Sequence, residues 1–411
     1  MEYKNRVNVV NTMIGSGKTS AAINYINSST EDERFIVITS CPSEVERYCR
    51  ECPEKKFKKL CNKNGNSKGL RKNVENLRIQ IESGNSIVTS HTFLQEFDKD
   101  IMAMCEEKNY TLILDEITNI VKKHPTTEPD LKILQEFMNI DDATGLMSWK
   151  ETQSDYSGVL STYKRLCDIG GCTYYDENYY FTWLFPAKVI NCFHRVFILT
   201  YMFEFQPQKY YYDYSGLNYS FIGVSCKNGT YQFSESLDEK PTINTDLIHV
   251  LDHTNLNLIG DTPRALSQAW FQKYKTCSVQ LKRNISNFFR NVRNAKSNEV
   301  IWTTFSAAED SLKGGGYSKG YLQWGTRGTN DYKDRTSVAY IANCYMEPVS
   351  KRFFKIHKIE VDEDKYALSE MLQFIWRSAI RCGNEIWVYV PSARMRTLLE
   401  NWIEENSKET K

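Results

Sequence analysis

The fold is decided near the amino terminus by the stretch Asn11-Thr-Met-Ile-Gly15-Ser-Gly17-Lys18-Thr19-Ser20. A short β-branched run precedes it, and residues suited to a helix follow. A glycine-rich turn between a strand and a helix lets backbone N–H groups approach a phosphate chain closely. In this pattern Lys18 reaches the β- and γ-phosphates, and the hydroxyl of Thr19 holds Mg²⁺. A glycine-rich turn before a surface helix is the alternative. The predicted phosphate-binding residues are Gly15, Ser16, Gly17, Lys18, Thr19 and Ser20.

The composition is that of an ordinary folded protein. The chain has 411 residues, of which 41% are hydrophobic and 25% charged, and its formal net charge is +1. This length corresponds to two or three domains that can each bury a core. The balance argues against disorder, collagen and coiled coil, and it confines any nucleic-acid binding to a local patch. Because the sequence has no long apolar span, we expect a cytoplasmic protein without a membrane partner, in the host cytoplasm if a phage encodes it.

Short β-branched runs alternate with helix-like stretches over the first 120 residues. This alternation is typical of a parallel sheet with crossover helices, whose ligands gather at the carboxyl ends of the strands. A less regular stretch and then a second α/β block follow. The predicted strands are residues 6–10, 35–39, 86–89, 110–114, 195–199, 219–225, 299–304, 320–323, 337–342 and 385–390.

The same pattern predicts an α/β protein with two lobes. We expect a first lobe at residues 1–208, with an irregular insertion at about 130–191. A junction and accessory segment is expected at 209–297, and a second lobe at 298–411.

Two adjacent carboxylates, Asp115 and Glu116, end the apolar run at 110–114. At the edge of a sheet, Asp115 is placed to bind Mg²⁺ through water, and Glu116 is placed to polarise an attacking water. By itself this run equally fits a strand end with solvated acids. Together with the phosphate-binding loop upstream, it predicts the site of a phosphoryl transfer to water.

Hydroxyl-rich segments end two further predicted strands, and a loop at 325–335 combines Gly, Arg, Lys and Tyr. Hydroxyls and helix N-termini suit contact with a phosphate backbone, and basic and aromatic side chains suit phosphate contact and base stacking. Capping of the local loops is the alternative for the hydroxyls. The predicted nucleic-acid-binding residues are Thr39, Ser40, Thr89, His91, Arg327, Thr329 and Asn330.

A helix is predicted over residues 367–381. Gln373, Arg377 and Arg381 recur every four residues and would share one face of such a helix. A guanidinium that faces a bound nucleotide can act as an arginine finger, which neutralises charge on the transferring phosphoryl group. The alternative is a solvated basic face.

In chain order these motifs resemble the motif series of superfamily 2 helicases of the DExD/H type. The later part is also similar to helicase-like proteins that bacteriophages encode. The stretches that carry the first resemblance are Gly15-Ser-Gly-Lys-Thr19, Ile38-Thr-Ser-Cys-Pro42, Thr89-Ser-His91, Asp115-Glu-Ile-Thr118, Leu199-Thr-Tyr-Met202, Thr329-Asn330 and 373–381. The second rests on Trp302-Thr-Thr-Phe305, 329–336, 369–381 and 389–396.

The resemblance implies two RecA-like P-loop NTPase lobes with parallel sheets, and ATP and Mg²⁺ as cofactors. It implies an ATP-dependent helicase or translocase in phage replication or recombination, with single-stranded or duplex nucleic acid, DNA before RNA, as the partner. Replication or recombination proteins would be further partners. The residues at the catalytic positions are Lys18, Glu116, Gln373, Arg377 and Arg381.

Two departures from the family pattern leave alternatives open. Trp376 stands where relatives have glycine, and the last arginine follows Arg377 by four residues instead of three, so either Arg377 or Arg381 can be the finger. Leu199-Thr-Tyr201 replaces the usual Ser-Ala-Thr motif, which leaves the coupling of hydrolysis to movement open. A ring-forming DNA-packaging ATPase and a helicase-like regulatory binding protein without motor activity are the other candidate functions.

Overall fold

The structure is a computed structural model. It describes residues 5–39, 41–60, 67–90, 97–115, 121–125, 127–158, 160–176, 179–183, 186–235, 244–252, 254–326, 329 and 331–408. The chain divides into two compact units. The first comprises residues 1–12, 17–203 and 207–239, and the second comprises 13–16, 204–206 and 240–411.

Strands and helices alternate along most of the chain. The strands are β1 (Val7–Asn11), β2 (Phe35–Thr39), β3 (Lys58–Leu60), β4 (Ile87–Thr89), β5 (Thr111–Asp115), β6 (Val121–Pro125), β7 (Met138–Ile140), β8 (Met147–Trp149), β9 (Cys172–Asp176), β10 (Tyr179–Trp183), β11 (Arg195–Thr200), β12 (Tyr219–Lys227), β13 (Thr230–Ser234), β14 (Ile248–Val250), β15 (Val300–Thr303), β16 (Ser337–Tyr340) and β17 (Ile386–Tyr389).

The helices vary from a single turn to 16 residues. They are α1 (Lys18–Asn27), α2 (Pro42–Glu51), α3 (Ser67–Glu82), α4 (Lys99–Glu107), α5 (Glu128–Phe137), α6 (Ser161–Asp168), α7 (Ala187–Ile190), α8 (Pro207–Tyr214), α9 (Thr254–Asn257), α10 (Gln268–Lys273), α11 (Cys277–Asn287), α12 (Ser306–Leu312), α13 (Pro348–Ile356), α14 (Glu363–Ile375) and α15 (Ala393–Lys408). Among the residues described, no helix is both long and apolar enough to cross a membrane.

Eight described strands of the first unit form one sheet, in the order β13-β12-β1-β11-β5-β2-β4-β3. All neighbours are parallel except the β12–β13 hairpin. Every residue of β2 and β5 is buried, which explains their continuous apolar sequences, because helices cover both faces of a parallel sheet. The register pairs Asn11 with Thr200, Leu199 with Asp115, and Asp115 with Thr39. The carboxyl ends of four central strands therefore meet at one edge.

The described chain between β5 and β11 includes the stretch, about 130–191, where the sequence predicts an insertion. It contains two small antiparallel sheets, β6-β10-β9 and β7-β8, together with α5, α6 and α7. Trp183, at the end of β10, is 2% exposed and stacks on Tyr211 of α8, with ring centroids 4.1 Å apart. Its indole N–H donates to the hydroxyl of Thr173 over 2.8 Å. This aromatic contact attaches the insertion to the body of the first unit.

The second unit is built on a parallel four-stranded sheet in the order β14-β17-β16-β15. The strand predicted at 320–323 is wrong. Ser318–Gly320 forms a 3₁₀ turn, and Tyr321 alone makes a bridge, to Trp302. A Cβ on Gly320 would lie 2.4 Å from the carbonyl oxygen of Val300, so the chain passes too close to β15 for a side chain at this position.

The predicted fold class, α/β with parallel sheets in two units, is confirmed. The first sheet continues beyond the expected boundary at residue 208, because β12 pairs with β1. The second unit accordingly takes up the chain from residue 240 rather than from 298. A strand in sequence does not indicate which of two sheets it joins, and that pairing sets the boundary.

We expect Trp183→Ala to lower the free energy of unfolding by about 3–5 kcal/mol, because it removes a large buried ring together with its stacking contact and its hydrogen bond. Urea denaturation followed by circular dichroism measures the loss. Ile356→Ala is the control, because Ile356 is 59% exposed and its truncation should change stability by no more than about 0.5 kcal/mol. Equal losses in the two variants would contradict the role of Trp183.

Candidate nucleotide site

The glycine-rich loop after β1 has the backbone conformation that its glycines predict. Gly15 and Gly17 have φ angles of +84° and +86°, in the left-handed region that favours glycine. The N–H of Ser16 donates to the carbonyl of Met13 over 3.2 Å and closes a turn. Helix α1 begins directly after Gly17, with no capping side chain among the described residues. Such a helix N-terminus is suited to bind an anion.

Lys18, the first residue of α1, directly follows this loop. It is 6% exposed, and its Nζ donates to the carbonyl of Thr12 over 2.8 Å. The N–H of Thr12 in turn donates to the carbonyl of Thr200 at the end of β11, over 3.3 Å. A buried ammonium group needs hydrogen-bond acceptors, and the loop backbone supplies one. The lysine is therefore held by the segment in which the sequence predicts the phosphate chain.

Asp115 contacts Thr19, the other residue predicted to bind the metal. It is 2% exposed, and its Oδ2 accepts a hydrogen bond from Thr19 Oγ1 over 3.0 Å. A carboxylate and a hydroxyl are hard oxygen ligands of the kind that Mg²⁺ prefers. When Thr19 donates its proton to Asp115, the lone pairs of its oxygen can face a cation. The residues present therefore fit a magnesium ion.

Tyr48, which the sequence analysis missed, contacts the same carboxylate. Its hydroxyl donates to Asp115 Oδ2 over 2.9 Å, and the residue is fully buried. Burial, and next the negative charge of Asp115, raise the pKa of Tyr48 well above its ordinary value, so the phenol keeps the proton that it donates. Val45, Tyr48 and Cys52 are spaced as one buried helix face. A tyrosine on a buried face needs a polar partner for its hydroxyl. The place of Tyr48 on this face was therefore the sequence signal for its contact.

Arg47, the neighbour of Tyr48, contacts the first turn of α1 from the same helix. Its Nη2 donates to Ser20 Oγ over 2.8 Å. Glu44 and Glu51 lie 3.4 Å and 3.2 Å from its guanidinium. Burial lowers the pKa of Arg47, but the two glutamates outweigh this effect and leave the pKa raised. Helix α2 is thus held by two successive residues: Arg47 bonds to Ser20, and Tyr48 bonds to Asp115.

Tyr231 of β13 packs against the start of α1 and explains why residue 17 is glycine. A Cβ built on Gly17 would lie 2.2 Å from Cδ1 of the Tyr231 ring. The carbonyl of Tyr231 also accepts a hydrogen bond from Asn24 Nδ2 over 2.8 Å. This contact depends on the pairing of a hairpin that begins at residue 219, and no local sequence signal predicts it.

The described threonines predicted to bind nucleic acid all make hydrogen bonds within the chain. Thr39 Oγ1 accepts from the N–H of Cys41 over 3.4 Å, and the buried Thr89 donates to the carbonyl of Leu60 over 2.7 Å. Thr329 Oγ1 donates to Asp331 over 3.0 Å. The bonds of Thr39 and Thr329 are those of the loop-capping alternative, whereas Thr89 bonds to the end of the neighbouring strand β3. Nucleic-acid binding by these residues stays a prediction. The predicted site residues outside the described part of the chain are Ser40, His91, Glu116, Arg327 and Asn330.

The predicted continuous helix over 367–381 is wrong. Helix α14 ends at Ile375, and Ser378 is extended, with φ −84° and ψ −170°. The hydroxyl of Ser378 donates to the carbonyl of Ile375 over 2.6 Å and so replaces a helical bond. Gln373 therefore lies on α14, Arg377 in the turn after it, and Arg381 in the 3₁₀ helix Ala379–Cys382. They do not form one helical face.

Burial differs among these three side chains of the second unit. Arg377 is 1% exposed and Gln373 is 9% exposed, whereas Arg381 is half-buried. The solvated basic face, which was the alternative for this segment, therefore does not describe Arg377 or Gln373. Their assignment to catalysis stays a prediction.

The first unit is thus an α/β domain in which Lys18, Thr19 and a buried acidic residue lie at the carboxyl edge of a largely parallel sheet. The chain belongs to the family of the SPbeta prophage-derived uncharacterized protein YonV of Bacillus subtilis (strain 168). The two are 36% identical over 409 residues, which cover 97% of this chain and 99% of that protein. A family model described as the YonV C-terminal Rossmann-like domain matches residues 242–403, which lie in the second unit.

Solved structures with some similarity include two helicase-related proteins. One, titled XPD_Helicase, is 10% identical, with a TM-score of 0.38 over 98% of this chain and 94% of that chain. The other, Xpd4 of S. tokodaii, is 11% identical, with a TM-score of 0.48 over 97% of this chain and 94% of that chain. At these values the likenesses carry no argument about activity. The YonV relative is prophage-derived, in line with the predicted phage relation.

We expect Gly17→Ala to destabilise the protein by about 1–3 kcal/mol more than Gly216→Ala. Both glycines have positive φ, but a Cβ on Gly216 would have no neighbour within 4 Å, whereas one on Gly17 meets Tyr231. Urea denaturation measures both losses. The double variant Gly17→Ala/Tyr231→Ala should cost about 1 kcal/mol less than the sum of its single variants. Strict additivity would show that the ring does not restrict residue 17.

Proposed function

We propose that this protein is a Mg²⁺-dependent ATPase that works on nucleic acid as a helicase or translocase. The observation that supports the proposal best is the convergence of Lys18, Thr19 and Asp115 at one edge of the first sheet. Lys18 directly follows a loop with two glycines at positive φ, and Thr19 and Asp115 are hydrogen-bonded over 3.0 Å. A phosphate-binding loop beside a buried acid is the arrangement that hydrolysis of a nucleoside triphosphate requires.

In the proposed reaction the first N–H groups of α1 and the ammonium of Lys18 bind the β- and γ-phosphates. Thr19 and Asp115 would hold Mg²⁺, which would supply positive charge to neutralise the phosphate oxygens. Glu116 accepts a proton from the attacking water as the water oxygen bonds to the γ-phosphorus. The bond from that phosphorus to the β–γ bridging oxygen breaks, and ADP leaves with the electron pair.

Nucleic acid is the proposed partner for two reasons. The motif order along the chain resembles that of DExD/H-type helicases, including the segments that follow β2, β4 and β11. The family also has a prophage-derived member, and replication or recombination of phage DNA requires ATP-driven movement on DNA. We therefore place DNA before RNA as the substrate.

Replacing Lys18 tests the proposed ATPase. We expect Lys18→Ala to abolish ATP turnover, because the β- and γ-phosphates lose the cation in the loop. Phosphate release is measured with no nucleic acid, with single-stranded DNA, with duplex DNA and with RNA. Wild-type turnover should rise with single-stranded DNA. Lys99→Ala, at a side chain that is 65% exposed, should leave turnover unchanged.

Three outcomes of this assay would contradict the proposal. Near wild-type hydrolysis by Lys18→Ala would place the activity elsewhere in the chain or in a contaminant. No hydrolysis by the wild type under any condition would favour a binding protein without motor activity. Turnover that depends steeply on protein concentration, together with a ring in solution, would favour a packaging-type ATPase.

One of two arginines of the second unit, Arg377 or Arg381, is proposed to stabilise the transferring phosphoryl group. We expect Arg381→Ala or Arg377→Lys to lower kcat by about 10³-fold, with little change in the Kd of a non-hydrolysable ATP analogue. Lysine is chosen at position 377 because that side chain is 1% exposed, and an uncharged residue there would disturb the buried structure around it. Arg50→Ala, at a 69% exposed side chain, is the control. An unchanged kcat in both variants would remove this segment from catalysis.

A further inference from the structure

We propose that Tyr48 is a positioning residue for the divalent cation, which sets the orientation of the Asp115 carboxylate through its hydroxyl. The inference rests on the proposed function, because it concerns how tightly the nucleotide site holds its metal. Tyr48 lies on α2, outside the phosphate-binding loop and outside β5. It is therefore an addition to the residues that the motifs indicate.

The first argument is the geometry at Asp115. Thr19 Oγ1 and Tyr48 Oη lie 3.0 Å and 2.9 Å from the same oxygen, Oδ2. Two donors on one oxygen, one from α1 and one from α2, restrain rotation of the carboxylate about its terminal bond. A metal ligand that is held in this way binds with less loss of conformational freedom. The hydroxyl of Tyr48 thus contributes to metal affinity without touching the metal.

The second argument is burial. Tyr48 and Asp115 are 0% and 2% exposed, so water does not compete for the bond between them. A hydrogen bond to a buried carboxylate is stronger than one between neutral groups, and a buried phenol that lacked a partner would be costly. A phenylalanine could fill the same space. The hydroxyl is therefore explained by its bond to the carboxylate and not by packing.

The third argument is the attachment of α2. Arg47 holds the same helix at Ser20, and Glu44 and Glu51 hold the guanidinium of Arg47. The residue after Arg47 is therefore carried by a helix that is fixed relative to the start of α1. A positioning residue needs this support, because a side chain on a loose helix would follow the carboxylate instead of orienting it.

Tyr48→Phe tests this inference, and Tyr110→Phe is its matched control. Tyr110 is also fully buried, and its hydroxyl donates to a backbone carbonyl, that of Asn85, over 2.8 Å. Both changes remove one buried phenol hydrogen bond in the first unit, but only Tyr48→Phe removes one from Asp115. Thermal unfolding is used to check that each variant is folded. Similar losses of stability are expected in the two variants.

Metal affinity is measured in two ways. The first is the ATPase rate as a function of Mg²⁺ at saturating ATP. The second is the binding of Mn²⁺, followed by electron paramagnetic resonance, in the presence of a non-hydrolysable ATP analogue. In Tyr48→Phe we expect the half-saturating concentration of both ions to rise about tenfold. Excess Mg²⁺ should restore most of the rate, and binding of the analogue in EDTA should be unchanged. Tyr110→Phe should match the wild type in all of these.

The possible results separate this inference from the proposed function. Wild-type half-saturation in Tyr48→Phe, or an equal shift in Tyr110→Phe, overturns the positioning role. A wild type that binds Mn²⁺ with the analogue but does not hydrolyse ATP overturns the proposed function alone, and the Mn²⁺ titration still decides the role of Tyr48. A wild type that does neither overturns both.

Discussion

The hydrogen-bonded carboxylate of Asp115 is the constraint on which the candidate site depends. A buried charge is costly unless hydrogen bonds replace its lost hydration. Thr19 and Tyr48 supply two of them. These bonds bring α1 and α2 to the end of β5, so the same carboxylate that is proposed to serve the chemistry also fixes the local packing. Helices α1 and α2 and strand β5 therefore meet at one carboxylate. A substitution that displaces one of these elements is expected to displace the other two.

The order of the strands sets the distance between the end of β1 and the end of β5. A single strand, β11, separates β1, which leads into the phosphate-binding loop, from β5, which ends in Asp115. Two strand spacings amount to about 10 Å. The end of β11 also holds the loop, because Thr200 accepts a hydrogen bond from Thr12, and the N–H of Phe203 donates to Asn11 Oδ1. The segment that replaces the usual Ser-Ala-Thr motif therefore still contacts the start of the loop.

Much of the fold could be predicted from the sequence, because strands buried on both faces appear as continuous apolar runs, such as β2. The loop and Asp115 were predicted for a related reason, since ligands gather where such runs end. Elements without a local signal were missed. The break at Ser378 involves neither glycine nor proline, and helical periodicity continues across it. The contacts of Tyr48 and Tyr231 join segments that are distant in sequence, so only the folded chain shows them.

The position of β1 has a consequence for how the protein is made. Val7, near the start of the chain, pairs with Val196 on one side and with Tyr219 on the other. A ribosome adds about 5–20 residues per second, so the first strand is synthesised on the order of ten seconds or more before either partner emerges. During that interval its unpaired edges are exposed to other chains. The glycine-rich loop that follows β1 can therefore reach its final conformation only late in synthesis, and a chaperone that shields the nascent strand would raise the yield of folded protein.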